Sequence, residues 1–520
     1  MSLSIAATAR AALLAGCALF AAGAAAQQSA APITPTAPVT PTAPVTPTPS
    51  ATRAAPGITF ADLVGWWRAE LAYNGQHAEM YLRFAEENGK PAVRVTLPEI
   101  FGWDFGVGGA KVADNRVEFT HVTMSFAYDP PSRTLTGDLP KDLAPAQRIV
   151  ARFHRSAAPQ IPAAEKWTGA RPKIEWTETM DGAVWAGLAH DAAANRVFVA
   201  TDTGTVSALD ARNGARAWSQ RTGGKLRARP TVQGGHVYVS SDDGVLYKLD
   251  AATGREAWRA SIDSRAAPRP DRAVFDRYGS SARIDAGRVY IGSPDNNLYA
   301  LDDATGKELW RAGAKDKIYA TPVIHADAVL FGSFDGFVYA LGAKDGAVRW
   351  QQDTRGAISS APAVAGGRIV VGNRAFELTG RDPASGAELW RDYLWFSWID
   401  SDITVAGDTF YVGSSDALRV HAFDAATGKL LWRTSLGGWC WAQPAVSQGR
   451  VYAGASGNPG GVGPRRGAFA ALDRKSGEIV WMHEVESTGK NWGFPASAVL
   501  AGDLVYVADV TGRVYAFRDP

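Results

Sequence analysis

The stretch LDAATGREAW, residues 249–258, decides the fold because close copies of it return along the chain. The copies start at residues 209, 301, 341, 381, 423 and 472, and each ends on a tryptophan. Around the stretch, alternating runs such as HVYVSS (236–241) and VLYKLD (245–250) are separated by Asp-Gly and Thr-Gly turns. Such turns favour tight hairpins because glycine accepts a positive φ. Four short strands recurring about every 40 residues are typical of a β-propeller blade.

The two ends of the repeat region predict how the ring closes. The chain stops at RVYAFRDP (513–520), which supplies the third strand of a blade without a fourth. The segment KIEWTET (173–179) is a fourth strand without the preceding three. Joining them completes eight blades and removes exposed sheet edges. The sequence therefore predicts an all-β fold, with an eight-bladed, four-stranded antiparallel propeller over 173–520 closed by its N-terminal strand.

The region before the propeller divides into a β-rich domain, a linker and an N-terminal signal segment. Residues 57–157 lack the repeat but alternate with period two, which predicts a small antiparallel barrel or sandwich domain. Within it, LVGWWRAEL (63–71) resembles the first strand of small lipocalin-like accessory domains of secreted enzymes. Residues 27–56 repeat Pro-Thr-Ala-Pro-Val-Thr, which predicts a semi-rigid linker.

The N-terminus predicts export. Arg10, the apolar run AALLAGCALFAA and a small-residue site ending at Ala26 predict a signal peptide over 1–26. A second interpretation is that LAGC, ending at Cys17, is a lipobox, so that lipidation of Cys17 anchors the chain to a membrane. Either interpretation predicts a periplasmic protein, outer-membrane anchored in the second case. With 54 Lys and Arg against 52 Asp and Glu, the composition argues against a general nucleic-acid binder.

The repeat resembles the tryptophan-docking motif of the PQQ-like, quinoprotein-type eight-bladed propellers over residues 173–520. That family includes PQQ-dependent dehydrogenases and the non-enzymatic outer-membrane assembly lipoprotein BamB. The resemblance implies that the repeat tryptophans are structural and pack one blade on the next. These are Trp176, Trp218, Trp258, Trp310, Trp350, Trp390, Trp432 and Trp481.

The innermost strands of the eight blades can be aligned without gaps. They read AVWAGL (183–188), KLRARP (225–230), RYGSSA (277–282), KIYATP (317–322), AISSAP (357–362), WIDSDI (398–403), WCWAQP (439–444) and WGFPAS (492–497). Because side chains alternate between the faces of a strand, the even columns predict blade packing. The second column is Val184, Leu226, Tyr278, Ile318, Ile358, Ile399, Cys440 and Gly493. Cys440 is therefore expected to be a small buried hydrophobe, with a reactive thiol as the alternative.

The odd columns carry large polar and aromatic residues that segregate by blade. They are Lys225, Arg227, Arg229, Arg277, Lys317 and Tyr319 in blades two to four, Trp398, Asp400, Asp402, Trp439, Trp441, Gln443, Trp492 and Phe494 in blades six to eight, and Trp185 in blade one. A basic arc facing an aromatic arc predicts a site for a planar or extended anionic ligand at the channel mouth. The alternative is that these residues plug the channel, with the aspartates paired to arginines.

The chemistry implied by a quinoprotein resemblance is incomplete in this sequence. The resemblance implies a vicinal Cys-Cys disulfide, a calcium held by Glu, Asn and Asp, and a catalytic Asp. The sequence has no Cys-Cys pair and no haem-attachment CxxCH, and its eight histidines lack metal-type spacing. We therefore predict no catalytic residues, no metal site and no cofactor, with PQQ and calcium as the alternative.

Three function hypotheses follow. The leading one is a non-catalytic exported binding or scaffold protein that acts through its channel mouth and blade loops and contacts an envelope protein. Two long loops, 263–276 and 456–467, are candidate partner contacts. The second hypothesis is a PQQ-dependent dehydrogenase. The third is a binder of carbohydrate or aromatic ligands that uses the tryptophan arc.

Overall fold

The structure is a computed structural model, and it describes residues 58–73, 76–100, 102–120, 124–139, 148–160, 166–263, 278–457, 466–485 and 492–519. The predicted signal peptide, the linker, Cys17 and Arg277 lie outside the described residues, as does most of both long loops. The chain forms two compact units. The first comprises Met1–Ala69, Leu82–Arg94 and Gly106–Ala157, and the second comprises Glu70–Tyr81, Val95–Phe105 and Ala158–Pro520.

The N-terminal region forms a nearly closed antiparallel sheet, which confirms the predicted small β-domain. Among the described residues it has nine strands in the order β4-β3-β2-β1-β9-β8-β7-β6-β5. The strands are β1 Gly65–Tyr73, β2 Gln76–Glu87, β3 Lys90–Leu97, β4 Gly102–Gly106, β5 Ala110–Ala113, β6 Arg116–Phe119, β7 Ser125–Asp129, β8 Thr134–Asp138 and β9 Val150–Ser156, with short 3₁₀ helices at Ala61–Leu63 and Pro98–Ile100. Inside the first unit, Phe126 and Phe153 are fully buried and meet edge to face at 5.2 Å.

The remaining strands form eight four-stranded antiparallel sheets in the described part of the chain, which confirms the predicted propeller. Blades 1 to 8 are numbered in chain order. Blade 1 is β11 Leu188–Asp191, β12 Arg196–Ala200, β13 Thr205–Asp210 and β14 Arg216–Arg221; blade 2 is β15 Thr231–Gln233, β16 His236–Ser240, β17 Val245–Asp250 and β18 Glu256–Ser261; blade 3 is β19 Arg283–Asp285, β20 Arg288–Gly292, β21 Asn297–Asp302 and β22 Glu308–Gly313; blade 4 is β23 Val323–His325, β24 Ala328–Gly332, β25 Phe337–Gly342 and β26 Val348–Asp353.

The second half of the ring repeats this arrangement. Blade 5 is β27 Ala363–Ala365, β28 Arg368–Gly372, β29 Glu377–Arg381 and β30 Glu388–Tyr393; blade 6 is β31 Thr404–Ala406, β32 Thr409–Gly413, β33 Arg419–Asp424 and β34 Leu430–Ser435; blade 7 is β35 Ala445–Val446, β36 Arg450–Ala455, β37 Gly467–Asp473 and β38 Ile479–Val485; blade 8 is β39 Val499–Ala501, β40 Leu504–Ala508, β41 Arg513–Arg518 and, from the start of the propeller, β10 Lys173–Thr179.

Strand β10 closes the ring as predicted. It pairs antiparallel with β41, from Lys173 opposite Arg518 to Thr179 opposite Arg513. Its Trp176 indole donates a 2.9 Å hydrogen bond to the carbonyl of Ala211 in blade 1. The first strand of the propeller therefore completes the last blade and joins it to the first.

The repeat motif packs each blade against the next one. Gly254 has φ +74°, and a Cβ added there would lie 2.6 Å from the ring of Trp218 in the preceding blade. The Trp218 indole in turn donates a 3.0 Å hydrogen bond to the carbonyl of Ala251. Glycine is needed both for the positive φ and for the space that the indole fills. This contact explains why Thr-Gly and tryptophan recur together, and it supports the structural role implied for the tryptophans.

No helix in the described ranges is long and apolar enough to cross a membrane.

Candidate functional site

The second alignment column packs between blades in most of the ring. The amide of Ile318 donates to the carbonyl of Ser293 at 3.0 Å, and that of Cys440 donates to Ser414 at 3.1 Å, so each inner strand is tied to the preceding blade. Cys440 is 1% exposed within the apolar cluster of blades 6 and 7. Burial raises the pKa of its thiol well above the ordinary range. The expectation that Cys440 is a buried hydrophobe is confirmed.

The gapless alignment is wrong in blade 8 by one residue. The amide of Phe494 donates to Ala455 at 3.1 Å, the bond that Cys440 makes in blade 7, while Gly493 accepts from Val510 at 2.9 Å. Phe494 is therefore a packing residue and is fully buried, not part of the aromatic arc. WGFPAS has a serine, Ser497, in the column where blades 2, 4, 5 and 7 have proline, so no proline fixed its register in the alignment.

In blade 3 the alignment makes the reverse error and assigns a channel residue to the packing column. Tyr278, assigned to the packing column, lies against the tryptophans of the channel, and its hydroxyl donates a 3.1 Å hydrogen bond to the carbonyl of Pro495 in blade 8. Blades 3 and 8 are not neighbours in the ring, so this bond passes through the central channel. Burial raises the pKa of the Tyr278 phenol, and Asp400 and Asp402 add to the effect.

A second polar connection crosses the channel. Arg229 of blade 2 donates to Gln443 of blade 7 at 3.1 Å and to the carbonyl of Leu188 at 2.8 Å. Asp402 attracts the same guanidinium and accepts a 2.6 Å bond from the amide of Ala361. Burial raises the pKa of Asp402, against the lowering effects of that amide and of Arg229. The plug interpretation therefore describes the arrangement of Arg229, Asp402 and Gln443.

Two other basic residues of the predicted arc, Arg227 and Lys317, contact side chains close to them. Arg227 is 3% exposed and forms an ion pair with Asp242 at 2.5 Å. Lys317 places its ammonium 4.3 Å from the ring centroid of Phe334 and 5.4 Å from that of Tyr319. Lys225 is partly exposed. Asp242 therefore compensates the charge of Arg227, and the basic arc as a ligand site stays a prediction.

The aromatic arc is continuous from blade 7 to blade 1. Trp439 stacks on Trp441 with centroids 4.8 Å apart and planes inclined by 12°. Trp441 meets Trp492 edge to face at 6.3 Å, and Trp492 contacts Trp185 at 5.3 Å. The Trp441 indole donates a 2.9 Å hydrogen bond to Ser415 Oγ. Trp185, Trp441 and Trp492 are buried, whereas Trp439 is partly exposed.

Four residues of this region were missed by the inner-strand alignment. They come from the turns that link the second and third strands of a blade, and they are Asp242, Phe334, Arg374 and Asp416. Arg374 stands in NRAF and Asp416 in SSDAL, where blades 2 and 4 have Asp-Gly turns and blades 1 and 8 have Thr-Gly turns. These departures from the repeat are the sequence signal that marks them.

Arg374 and Asp416 lie close to the aromatic and acidic residues of the channel mouth beside blade 6. The guanidinium of Arg374 lies 4.9 Å from the ring centroids of both Phe334 and Trp398, and it forms a 2.8 Å ion pair with Asp400. The Trp439 side chain acts to lower the pKa of the Asp416 carboxyl. Burial and the nearby Asp400 raise the pKa of Asp416 to about 7.

The described residues do not match the cofactor site that a quinoprotein resemblance implies. Cys440 has no adjacent cysteine, and it lies between blades rather than in the channel. In the part of the chain that the structure describes, no three His, Cys, Asp or Glu side chains group as metal ligands.

Comparison with known proteins extends over the whole propeller. The profile of the family described as "Outer membrane protein assembly factor BamB" matches residues 167–277, 276–397 and 377–519. BamB of Yersinia pestis is 26% identical over 162 residues, which cover 29% of this chain and 38% of that protein.

Solved structures show the same fold. BamB from Moraxella catarrhalis superposes with a TM-score of 0.52 at 20% identity, covering 67% of this chain and 98% of that one. The quinohemoprotein alcohol dehydrogenase ADHIIG from Pseudomonas putida HK5 gives a TM-score of 0.51 at 12% identity over 66% and 76%. At these identities the likeness concerns the fold alone. The family profile spans the propeller from its closing strand to its end, and the chain belongs to the family of the outer membrane protein assembly factor BamB.

Proposed function

We propose that this protein is a non-catalytic scaffold of the cell envelope, located in the periplasm or anchored to the outer membrane, which holds an outer-membrane assembly partner. The observation that carries the proposal is the match of all eight blades to the BamB family. The arrangement of the channel agrees with it, because bonds between non-neighbouring blades cross the channel and polar groups of the chain itself engage Arg227 and Arg229.

The outer surface of the ring offers a place for a protein partner. Leu309, Leu389 and Leu431 occupy equivalent positions on the outermost strands β22, β30 and β34. Their side chains are 47%, 49% and 52% exposed. Leu389 and Leu431 lie on the outermost strands of the neighbouring blades 5 and 6. Apolar side chains exposed at adjacent sheet edges favour contact with another protein, because burying them removes apolar surface from water.

Reconstitution tests the proposal. The mature chain is mixed with the membrane-embedded outer-membrane assembly protein of its host in detergent, and complex formation is followed by size-exclusion chromatography and cross-linking. We expect a complex that the double variant Leu389→Ser, Leu431→Ser weakens. Gln220→Ala, a polar change on the outermost strand β14, is the matched control and should leave the complex intact. Absence of a complex, together with PQQ- and calcium-dependent alcohol oxidation, would establish the dehydrogenase alternative instead.

A further inference from the structure

Two indoles of the channel mouth are each supported on one face. Trp439 rests on Trp441, which Ser415 and Trp492 hold in place. Trp398 rests against the guanidinium of Arg374. Both Trp398 and Trp439 are partly exposed, and they lie in the segments that precede the innermost strands β31 and β35 of the adjacent blades 6 and 7. Their positions are therefore fixed by packing before any ligand arrives, which reduces the entropy that binding costs.

Carboxyl and guanidinium groups lie close to these indoles. The amide of Ser415 donates to the carbonyl of Trp398 at 3.0 Å, which places the next residue, Asp416, beside that strand. The Trp439 side chain also acts on the Asp416 carboxyl and lowers its pKa. Asp400, two residues beyond Trp398, accepts bonds from Arg374 at 2.8 Å and from Ser359 Oγ at 2.5 Å. The surface thus combines aromatic faces with carboxyl and guanidinium groups.

The charges around this surface select against simple ions. Arg374 and Asp400 compensate each other at 2.8 Å. A small anion at the indoles would face the carboxyls of Asp400 and Asp416, and a small cation would face Arg374. A neutral, hydroxyl-rich ligand meets neither obstacle. The C–H face of a sugar ring packs on an indole, and its hydroxyls bond to carboxylates and guanidinium groups.

We propose that Trp398, Asp416 and Trp439 form a binding site for a neutral saccharide at the channel mouth. The two indoles provide the stacking surfaces, and Asp416 provides the hydrogen bonds that orient the sugar. The site does not depend on the scaffold role, because none of its residues lies on the outermost strands.

Binding is measured on the full mature chain by calorimetry and by tryptophan fluorescence. The probes are maltotriose and the N-acetylglucosamine trimer. We expect at least one of them to bind the wild-type protein, and we expect Trp439→Leu and Asp416→Asn each to weaken its binding about tenfold. The melting temperature of each variant is measured alongside, and Asp416→Asn, which preserves shape, decides the question where Trp439→Leu fails to fold.

Trp66→Leu is the matched control, because Trp66 is a partly exposed tryptophan on strand β1 and is not one of the residues proposed to bind the sugar. It should bind the same saccharide with unchanged affinity. The proposal is overturned if neither probe binds the wild-type protein, or if a folded Asp416→Asn variant binds as tightly as the wild type. Preferential binding of an anionic sugar acid or of a quaternary ammonium compound would overturn it as well.

Discussion

Asp416→Asn should change how stability depends on pH. Burial and Asp400 raise the pKa of this carboxyl from 3.8 to about 7, although the Trp439 indole opposes the shift. Asp400 is itself paired with Arg374, so the carboxylate form of Asp416 lacks an ion-pair partner of its own among the contacts described. The folded protein therefore takes up a proton that the unfolded chain releases at lower pH. Stability is unaffected by this group below about pH 4 and falls as the pH rises toward 7.

The magnitude follows from the size of the shift. At about 1.4 kcal/mol per pH unit, a rise from 3.8 to about 7 corresponds to about 4 kcal/mol. Asp416 is partly exposed, and solvent screening reduces the effect, so we expect about 1–2 kcal/mol between pH 5 and pH 8. An asparagine cannot ionise and removes this term. The free energy of unfolding of the variant should therefore exceed that of the wild type by about 1–2 kcal/mol more at pH 8 than at pH 5.

Urea unfolding at pH 5, 6, 7 and 8 measures the difference. Asp382→Asn is the control, because a hydrogen bond from Ser385 holds the pKa of Asp382 below 3.8, and its titration is complete before pH 5. That variant should keep the pH dependence of the wild type over the whole range. If wild type and Asp416→Asn show parallel curves from pH 5 to pH 8, the argument that Asp416 is destabilised as a carboxylate is refuted.

Three further predictions concern the ring itself. Gly254→Ala forces a Cβ against Trp218 as well as a strained backbone, and it should cost more in urea unfolding than Gly234→Ala, where the φ is +58° but no atom lies within 4 Å and only about 1 kcal/mol of strain is expected. Cys440 should react with a thiol reagent only after denaturation, because it is 1% exposed; labelling of the native protein at pH 8 would contradict its placement. Starting the propeller after residue 179 leaves β41 without its partner strand, so light scattering should show aggregation that a chain starting at residue 166 does not show.

The fold was predictable because its signals are local and repeated. The motif with a turn glycine and a tryptophan occurs seven times, and each copy indicates a hairpin and a contact between blades. The last blade lacks a fourth strand in its own stretch of sequence, and residues 173–179 supply it. The register of blade 8 was not predictable in this way. Gly493 has φ +128° and lies close to the Ala455 carbonyl, a backbone geometry that depends on the neighbouring blade rather than on the sequence of the strand.

The site was predictable only in part, for a similar reason. The alignment found the segregation of cations and tryptophans, since parity along a strand is a property of that strand. It could not show that Asp242 neutralises Arg227 or that Arg374 pairs with Asp400. Asp242 stands in a turn of the same blade as Arg227, and Arg374 stands in a turn of the blade before Asp400, so both partners come from outside the aligned segments.

These partners decide what kind of ligand the mouth suits. An anion that relied on Arg227 or Arg229 would first have to separate them from Asp242 and from Gln443. Removing one member of a buried ion pair typically costs about 3–5 kcal/mol, which would consume much of the binding energy of a small ligand. Stacking on Trp398 and Trp439 carries no such cost, because both residues are already partly exposed and each packs against a neighbour, Arg374 or Trp441. A ligand that gains its affinity from stacking and hydroxyl contacts therefore has an advantage at this mouth over one that needs its cations.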